Sequence, residues 1–426
     1  MRWRSRLLFV ALLTTVLLDM PPTTSSLRSP KVADVASSTV DTAQALFNEH
    51  FDADSTDEEA AEELTTVYQQ APLAVQADHT HYSEGFALFA ALPYGVAVAA
   101  RPAQEVSRLA EADAPARVAL PTGAPARPAD SITARVVRAM LSAYPDATST
   151  LDIAVAHALP DACRDAYVAA LARAMHRAIV QLTPHAAVSS QTHSFVDVAA
   201  SVLPEARGRP YSTAYPLAVS NAAHADGHLA PFVLVDTPAG EVLPVPSEHD
   251  DALQWGFFAP DPPQYTPEVS MTRKERARAA LHALQSTDDF ADLDTFSELE
   301  HRELDRALNQ VDSEHRPLIR HFVTENRRVQ KHVVALRHGD GQMSGALLHM
   351  THASLQSTWE GASAAANFLV RQAKGYTEAG LYGAGMTGRD GYVLTVGRRP
   401  AYPAHITTIS EHYESAFHHP VSFIPL

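Results

Sequence analysis

The chain has 426 residues, 46% of them hydrophobic and 19% charged, which is ample apolar material for a sizeable core and too little charge for a disordered protein. Its 49 acidic residues against 33 basic ones give a formal net charge of −16, which repels nucleic-acid phosphates and anionic membrane surfaces and argues against both as partners. The single cysteine, Cys163, excludes an intramolecular disulfide, so packing alone must stabilise the fold.

Arg2, Arg4 and Arg6 precede an apolar run at 7–18, and Pro21, Pro22 and a Ser/Thr cluster at 23–26 follow. That order predicts a secretory signal peptide over residues 1–26, cleaved near Ser26, and an exported (periplasmic or secreted) mature chain. The run is shorter than the roughly 20 residues a spanning helix needs, so no membrane span is expected after leader removal. The alternative is a native start downstream of Met1, which would leave the protein cytoplasmic. Residues 27–38 read as a polar linker. Helical periodicity begins at Val40 and runs through Phe47 to Phe51, and the acidic run at 52–63 reads as a solvated face. The pattern turns strand-like from Tyr68, and 86–100 reads as two strands joined by a turn at Pro93 and Gly95.

An Ala/Pro/Arg-rich stretch at 112–129 reads as an exposed insertion. Beyond it the pattern predicts a helix over 131–142, a strand over 151–156, a long Ala-rich helix over 161–182 and a strand over 232–235. A Pro-rich connection at 244–267 separates a first domain, 39–243, from a second, 268–426. The second carries helical spacing at 271–284, 296–308, 315–336 and 345–351. It ends in a helix at 362–374, a Gly-rich turn at 383–391, a strand at 392–396 and a helix at 405–417.

Several segments then stand in an order with chemical meaning. Asp78-His79-Thr80-His81-Tyr82-Ser83-Glu84-Gly85-Phe86 is similar to a G-E-H-T-D-Y-N-G-G-F sugar motif. Glu325-Asn326-Arg327-Arg328-Val329 with Ala335-Leu336-Arg337-His338-Gly339-Asp340 resembles an E-N-x-R helix and its A-L-x-x-G-D turn. Thr351-His352-Ala353-Ser354-Leu355 is similar to S-H-x-S-L, and Gly383-Ala384-Gly385-Met386-Thr387-Gly388 to the start of G-x-R-M-T-G-G-G-F-G-G. Together they make the chain resemble the galactokinase family of the GHMP kinase superfamily over roughly residues 40–415. The resemblance implies an α+β, two-lobed fold with a β-rich N-terminal lobe and a C-terminal lobe whose sheet is covered by helices. It implies a cleft where galactose or a related sugar meets ATP, and a sugar site whose remnants are Asp78, His79, His81 and Tyr82.

Phosphoryl transfer depends on positioning and on donors that stabilise charge on the transferred group. The family's phosphate loop, P-x-G-x-G-L-S-S-S-A, is reduced to Pro160 and Ala169: Ala162 and Arg164 stand at the glycines, Ala166, Tyr167 and Val168 at the serines, and Asp161 and Asp165 bring negative charge. The family's catalytic Asp falls near Pro216-Leu217-Ala218-Val219-Ser220, where there is no carboxylate, and neither Asp226 nor Asp236 is assigned the role. Its sugar-contacting Tyr falls on Ser270, and the Gly-rich turn retains only Met386, Thr387 and Gly388 of its binding end. The expectation is a degenerate kinase acting as a binding, sensing or interaction protein with no catalytic residue and no cofactor. The alternative is a divergent active sugar 1-kinase using Mg-ATP. No metal site is read: His79 and His81 share a face, yet no Cys or carboxylate completes a zinc spacing. Gly383-x-Gly385-x-x-Gly388 precedes a strand rather than opening a helix, so it is no dinucleotide fingerprint. No G-x-S-x-G supports a hydrolase. The sequence names no protein partner.

Overall fold

In the computed structural model the described residues are 30–51, 64–76, 83–112, 114, 116–121, 130–144, 150–183, 194–208, 211–221, 227–247, 252–260, 267–357, 361–387 and 391–426. The N-terminal lobe opens with α1 (Pro30–Phe51), whose Ala36, Thr39, Ala43, Phe47 and Phe51 fall at helical spacing and are buried. This helix begins ten residues before the periodicity at Val40 indicates, so most of the expected 27–38 linker is helical. The polar residues there, such as Asp34, Ser37 and Ser38, lie on its exposed side and mask the apolar stripe.

A seven-stranded sheet follows, in the order β4-β3-β5-β2-β6-β7 with β1 also on β2. Its strands are β1 (Thr65–Gln76), β2 (Phe86–Pro102), β3 (Ser107–Glu111), β4 (Val118–Leu120), β5 (Leu151–His157), β6 (Phe232–Asp236) and β7 (Glu241–Val245). β2 is one 17-residue strand, not two. Pro93 is tolerated because β2 changes partner around it: residues 86–90 pair with β6 and 96–102 with β5, so residues 91–95 have no ladder on that edge. On the other edge the register with β1 shifts between Gln70 and Pro72, across Pro93, so the missing N–H breaks no regular ladder bond. β4 lies inside the stretch expected to be an insertion.

Helices α2 (Ile132–Ala143), α3 (Arg164–Leu182), α4 (Phe195–Arg207) and α5 (Ala214–Asn221) pack against this sheet and one another. Ser131 caps α2 and Ser194 caps α4 by accepting main-chain N–H bonds.

The C-terminal lobe has a four-stranded sheet, β11-β8-β10-β9, formed by β8 (Leu253–Ala259), β9 (Gly383–Thr387), β10 (Tyr392–Arg398) and β11 (Ser422–Pro425). β8 arises within the stretch expected to be a Pro-rich connection, and the expected Gly-rich turn contains β9. Around the sheet lie α6 (Pro267–Gln285), α7 (Leu304–Asn309), α8 (Arg316–Arg337), α9 (Gly341–Ser357), α10 (Ala364–Lys374) and α11 (Tyr402–Phe417). The helix expected over 296–308 is two short 3-10 turns followed by α7. Among the described residues no helix is long and apolar enough to cross a membrane.

One hydrophobic core runs through both lobes. Val329, Val333 and Leu336 of α8, Leu348 of α9 and Tyr392, Leu394 and Val396 of β10 belong to the same buried cluster as the β1, β2 and α3 side chains. A second core, around Phe258, Phe290, Phe322 and Tyr413, lies within the C-terminal lobe.

Candidate functional site

The segments that carried the resemblance meet where the lobes join. Gln76, the last residue of β1, donates from Nε2 to Thr351 Oγ1 at 2.6 Å and lies 3.4 Å from Glu325 Oε1. Glu325, on α8, accepts from Thr351 at 3.1 Å and from Arg328 Nε at 2.7 Å. A carboxylate and a guanidinium so deeply buried are tolerable only because each neutralises the other and the remaining lone pairs are bonded.

His332, one turn on from Arg328, completes the group: its Nδ1–H donates to Gln76 Oε1 at 2.9 Å. The ring is fully buried, and burial pushes its pKa down to about 3, which outweighs the attraction of Glu325. It is therefore a neutral imidazole that orients the Gln76 amide. On the next strand, the Phe86 N–H donates to Asn326 Oδ1 at 2.9 Å.

β9 docks on the same place. Thr387 donates from its hydroxyl to the Ala74 carbonyl at 3.0 Å, and the Met386 N–H donates to His352 Nδ1 at 3.3 Å. His352 Nε2–H in turn donates to Asn367 Oδ1 at 3.0 Å, which fixes the tautomer. Burial lowers the His352 pKa to about 4, against the opposing Asn367 bond. Gly385 is required by packing: a Cβ there would stand 2.5 Å from the Leu348 carbonyl oxygen, so the glycine lets α9 lie against the backbone of β9. Glycines that read as turn residues are thus a strand pressed on a helix.

The β5–α3 connection holds the expected phosphate-loop positions. Residues 161–163 make one 3-10 turn after Pro160, and α3 begins at Arg164 with no side-chain cap. β5 runs parallel to β1, both being antiparallel to β2, and α3 returns across the sheet so that Arg177 Nη1 donates to the Tyr68 carbonyl.

The residues at the serine positions, Ala166, Tyr167 and Val168, are buried in the lobe core, and the Tyr167 hydroxyl bonds to Thr133. Asp165 corrects the sequence reading. It is not turned toward a phosphate but buried, its Oδ1 accepting from Arg207 Nε at 2.7 Å, which ties α3 to α4. Asp161 and Arg164 remain exposed, with Arg164 Nε donating to the Asp161 carbonyl.

The stretch 216–220 is α5, and Leu217, Ala218 and Val219 are buried in the core without a carboxylate among them. Asp236 ends β6, and its Oδ1 accepts from the Ala239 N–H across the β6–β7 turn. Ser270 lies in the first turns of α6. Asp78, His79, His81, Tyr82, Asp226 and Gly388 lie outside the described residues; Met386 and Thr387 are buried on β9. The side chains of Gln76 and His332 had no role in the sequence reading, because a Gln at a strand end and a His on a helix carry no motif. Glu325 and Thr351 stood in quoted motifs, yet only their convergence on Gln76 marks them as one network. No group of three His, Cys, Asp or Glu side chains that could hold a metal occurs among the described residues.

No family model matches the sequence. The fold is similar to that of Lactococcus lactis galactokinase, solved with galactose bound, with a TM-score of 0.75 and 19% identity over 91% of this chain and 97% of that one. It is similar at lower TM-score, 0.52, to Methanococcus jannaschii mevalonate kinase, with 8% identity over 85% of this chain and 97% of that one. Streptococcus pneumoniae phosphomevalonate kinase gives 0.53, with 9% identity over 85% of this chain and 100% of that one. The chain therefore has the two-lobed GHMP kinase fold in a galactokinase-like form.

Proposed function

We propose that this chain is a galactokinase-like protein that binds a sugar, galactose or a relative, beside the junction of its lobes and transfers phosphate at a negligible rate. The observation that carries the reading is the β5–α3 connection. Side chains occupy both glycine positions, and the three serine positions hold Ala166, Tyr167 and Val168, which are buried in the core and offer a nucleotide no free hydroxyl. Each missing donor typically costs a hundred- to thousand-fold in rate, so two independent losses leave about a ten-thousandth of the activity. The absence of a carboxylate on α5 supports the same conclusion. Sugar binding is supported by the junction itself: Gln76 and Phe86, which bracket the sugar-motif segment in sequence, are both fastened to α8.

A second reading, a working sugar 1-kinase using Mg-ATP, is favoured by one feature. The first turn of α3 receives no side-chain cap, and a helix N-terminus favours an anion. The two readings separate in one experiment on the purified chain: calorimetric titration with galactose and with Mg-ATP, and a coupled ADP-release assay run beside an intact galactokinase. Saturable galactose binding with turnover at least about ten-thousandfold below the control is expected. Turnover within about a hundredfold of the control would establish the kinase reading instead.

A further inference from the structure

Helices α8 and α9 form an antiparallel hairpin joined by the turn at His338, Gly339 and Asp340, and its outer face differs from the rest of the molecule. The chain carries −16 overall, yet residues 316–357 hold six Arg and Lys against two carboxylates, Glu325 and Asp340. Glu325 is buried with Arg328, and the Asp340 Oδ1 caps α9 by accepting from the Met343 N–H. The exposed residues of α8 and its C-cap include Arg316, Arg320, Arg327, Lys331, Val334 and His338, three, four or seven residues apart and so on one face along about 33 Å of helix. None of Arg320, Arg327 and Lys331 has a carboxylate partner among the described residues.

The same hairpin carries the large apolar residues left most open to water. Val334 is 49% exposed, Met343 42% and Met350 53%, and these are the exposed large hydrophobics among the described residues. Between the helices lies a shallow cavity of about 240 Å³ lined by Arg327, Lys331, Val334, His338, Asp340 and Met343. Methionine at such a surface adapts to the shape of what it meets. A cationic stripe beside an apolar seam, on two rigid helices, has the form of a groove that receives a third helix.

We propose that this hairpin is a docking surface for an acidic amphipathic helix of another protein, its Leu or Phe side chains seated on Val334, Met343 and Met350 and its carboxylates facing Arg320, Arg327 and Lys331. The charge reversal selects an acidic partner, and the exposed apolar seam requires one with large apolar side chains. The chain's own acidic run at 52–63 has seven carboxylates but only alanines as apolar residues, so it would neutralise the stripe and leave the seam wet. A nucleic acid would also leave the seam wet, and the net charge repels it. The surface is separate from the lobe junction, because Glu325 and His332 point inward from the opposite side of α8.

The test uses the full chain and a fluorescent 20-residue peptide with Leu at i, i+3, i+4 and i+7 positions and Glu on the flanks. Its comparators are a scrambled peptide of the same composition, a peptide of residues 52–63, and a 20-base-pair DNA duplex. Anisotropy should show the amphipathic peptide binding at least tenfold more tightly than every comparator. Lys331→Glu with Arg320→Glu should weaken it at least tenfold, as should Met343→Lys, with far-UV circular dichroism and urea midpoint unchanged. Raising NaCl from 50 to 500 mM on the unaltered chain should also weaken binding at least tenfold, a readout that does not depend on any variant folding. Equal binding of the scrambled peptide, tighter binding of DNA or of the 52–63 peptide, no detectable binding, or affinity indifferent to both salt and these substitutions would each overturn the proposal.

Discussion

Replacing Glu325 by Ala tests whether the lobe junction is held by the buried network or by apolar packing alone. The substitution leaves Arg328, 9% exposed at its side chain, without the carboxylate that faces it at 2.6 and 2.7 Å. It also removes the acceptor of the Thr351 hydroxyl and a neighbour of the Gln76 amide. Removing one partner of a buried ion pair costs about 3–5 kcal/mol, because an uncompensated charge stays behind. Urea unfolding followed by circular dichroism should show a loss of that size for Glu325→Ala. Arg328→Met, which strands the carboxylate instead, should show a similar loss. The double variant Glu325→Ala with Arg328→Met should be more stable than the sum of the two losses by at least about 1 kcal/mol, since no charge is then left unpaired. A loss below about 1 kcal/mol for Glu325→Ala, or strictly additive losses, would refute the view that this pair stabilises the junction.

Other expectations follow from the same geometry. Asp165→Asn should lower stability by about 3 kcal/mol in urea unfolding, because it strands Arg207 in the lobe core, and should not restore nucleotide binding measured by calorimetry; a neutral effect with new ATP affinity would return Asp165 to the phosphate site. Gly385→Ala should cost about 1–3 kcal/mol, read from the urea midpoint, since the new methyl meets the Leu348 carbonyl of α9. His176, His332 and His352 have folded-state pKa values lowered to about 4, 3 and 4, chiefly by burial, with Arg173 and Arg177 adding to the shift at His176. The unfolded chain therefore binds protons first as pH falls below about 6.5. The stability these neutral rings contribute is complete above that pH and declines from 6.5 toward 4 by about 1.4 kcal/mol per pH unit for each ring. Unfolding free energies that stay level between pH 6.5 and 5 would contradict this.

Much of this protein can be read along the chain. The long helix at 164–182, the helices at 316–337 and 402–417 and the strands at 151–157, 232–236 and 392–398 follow from apolar periodicity, which is a local property. The ordered motif remnants, from residue 78 to residue 388, indicate the galactokinase-like fold, because residues that cap, turn and pack must keep their order even when those that bind have changed. Three-dimensional packing decided what local pattern leaves ambiguous. Pro93 and Gly95 read as a turn, but β2 stays continuous because the sheet offers Pro93 a position where no ladder bond is needed. Gly383 and Gly385 read as a loop until α9 is seen lying against their backbone. Asp165 reads as a charge in the way of phosphate, and only α4, reached 42 residues later at Arg207, gives it a partner. The junction itself joins Gln76 to residues 249 to 275 positions away, a separation over which side-chain type carries no signal and only the fold creates the site.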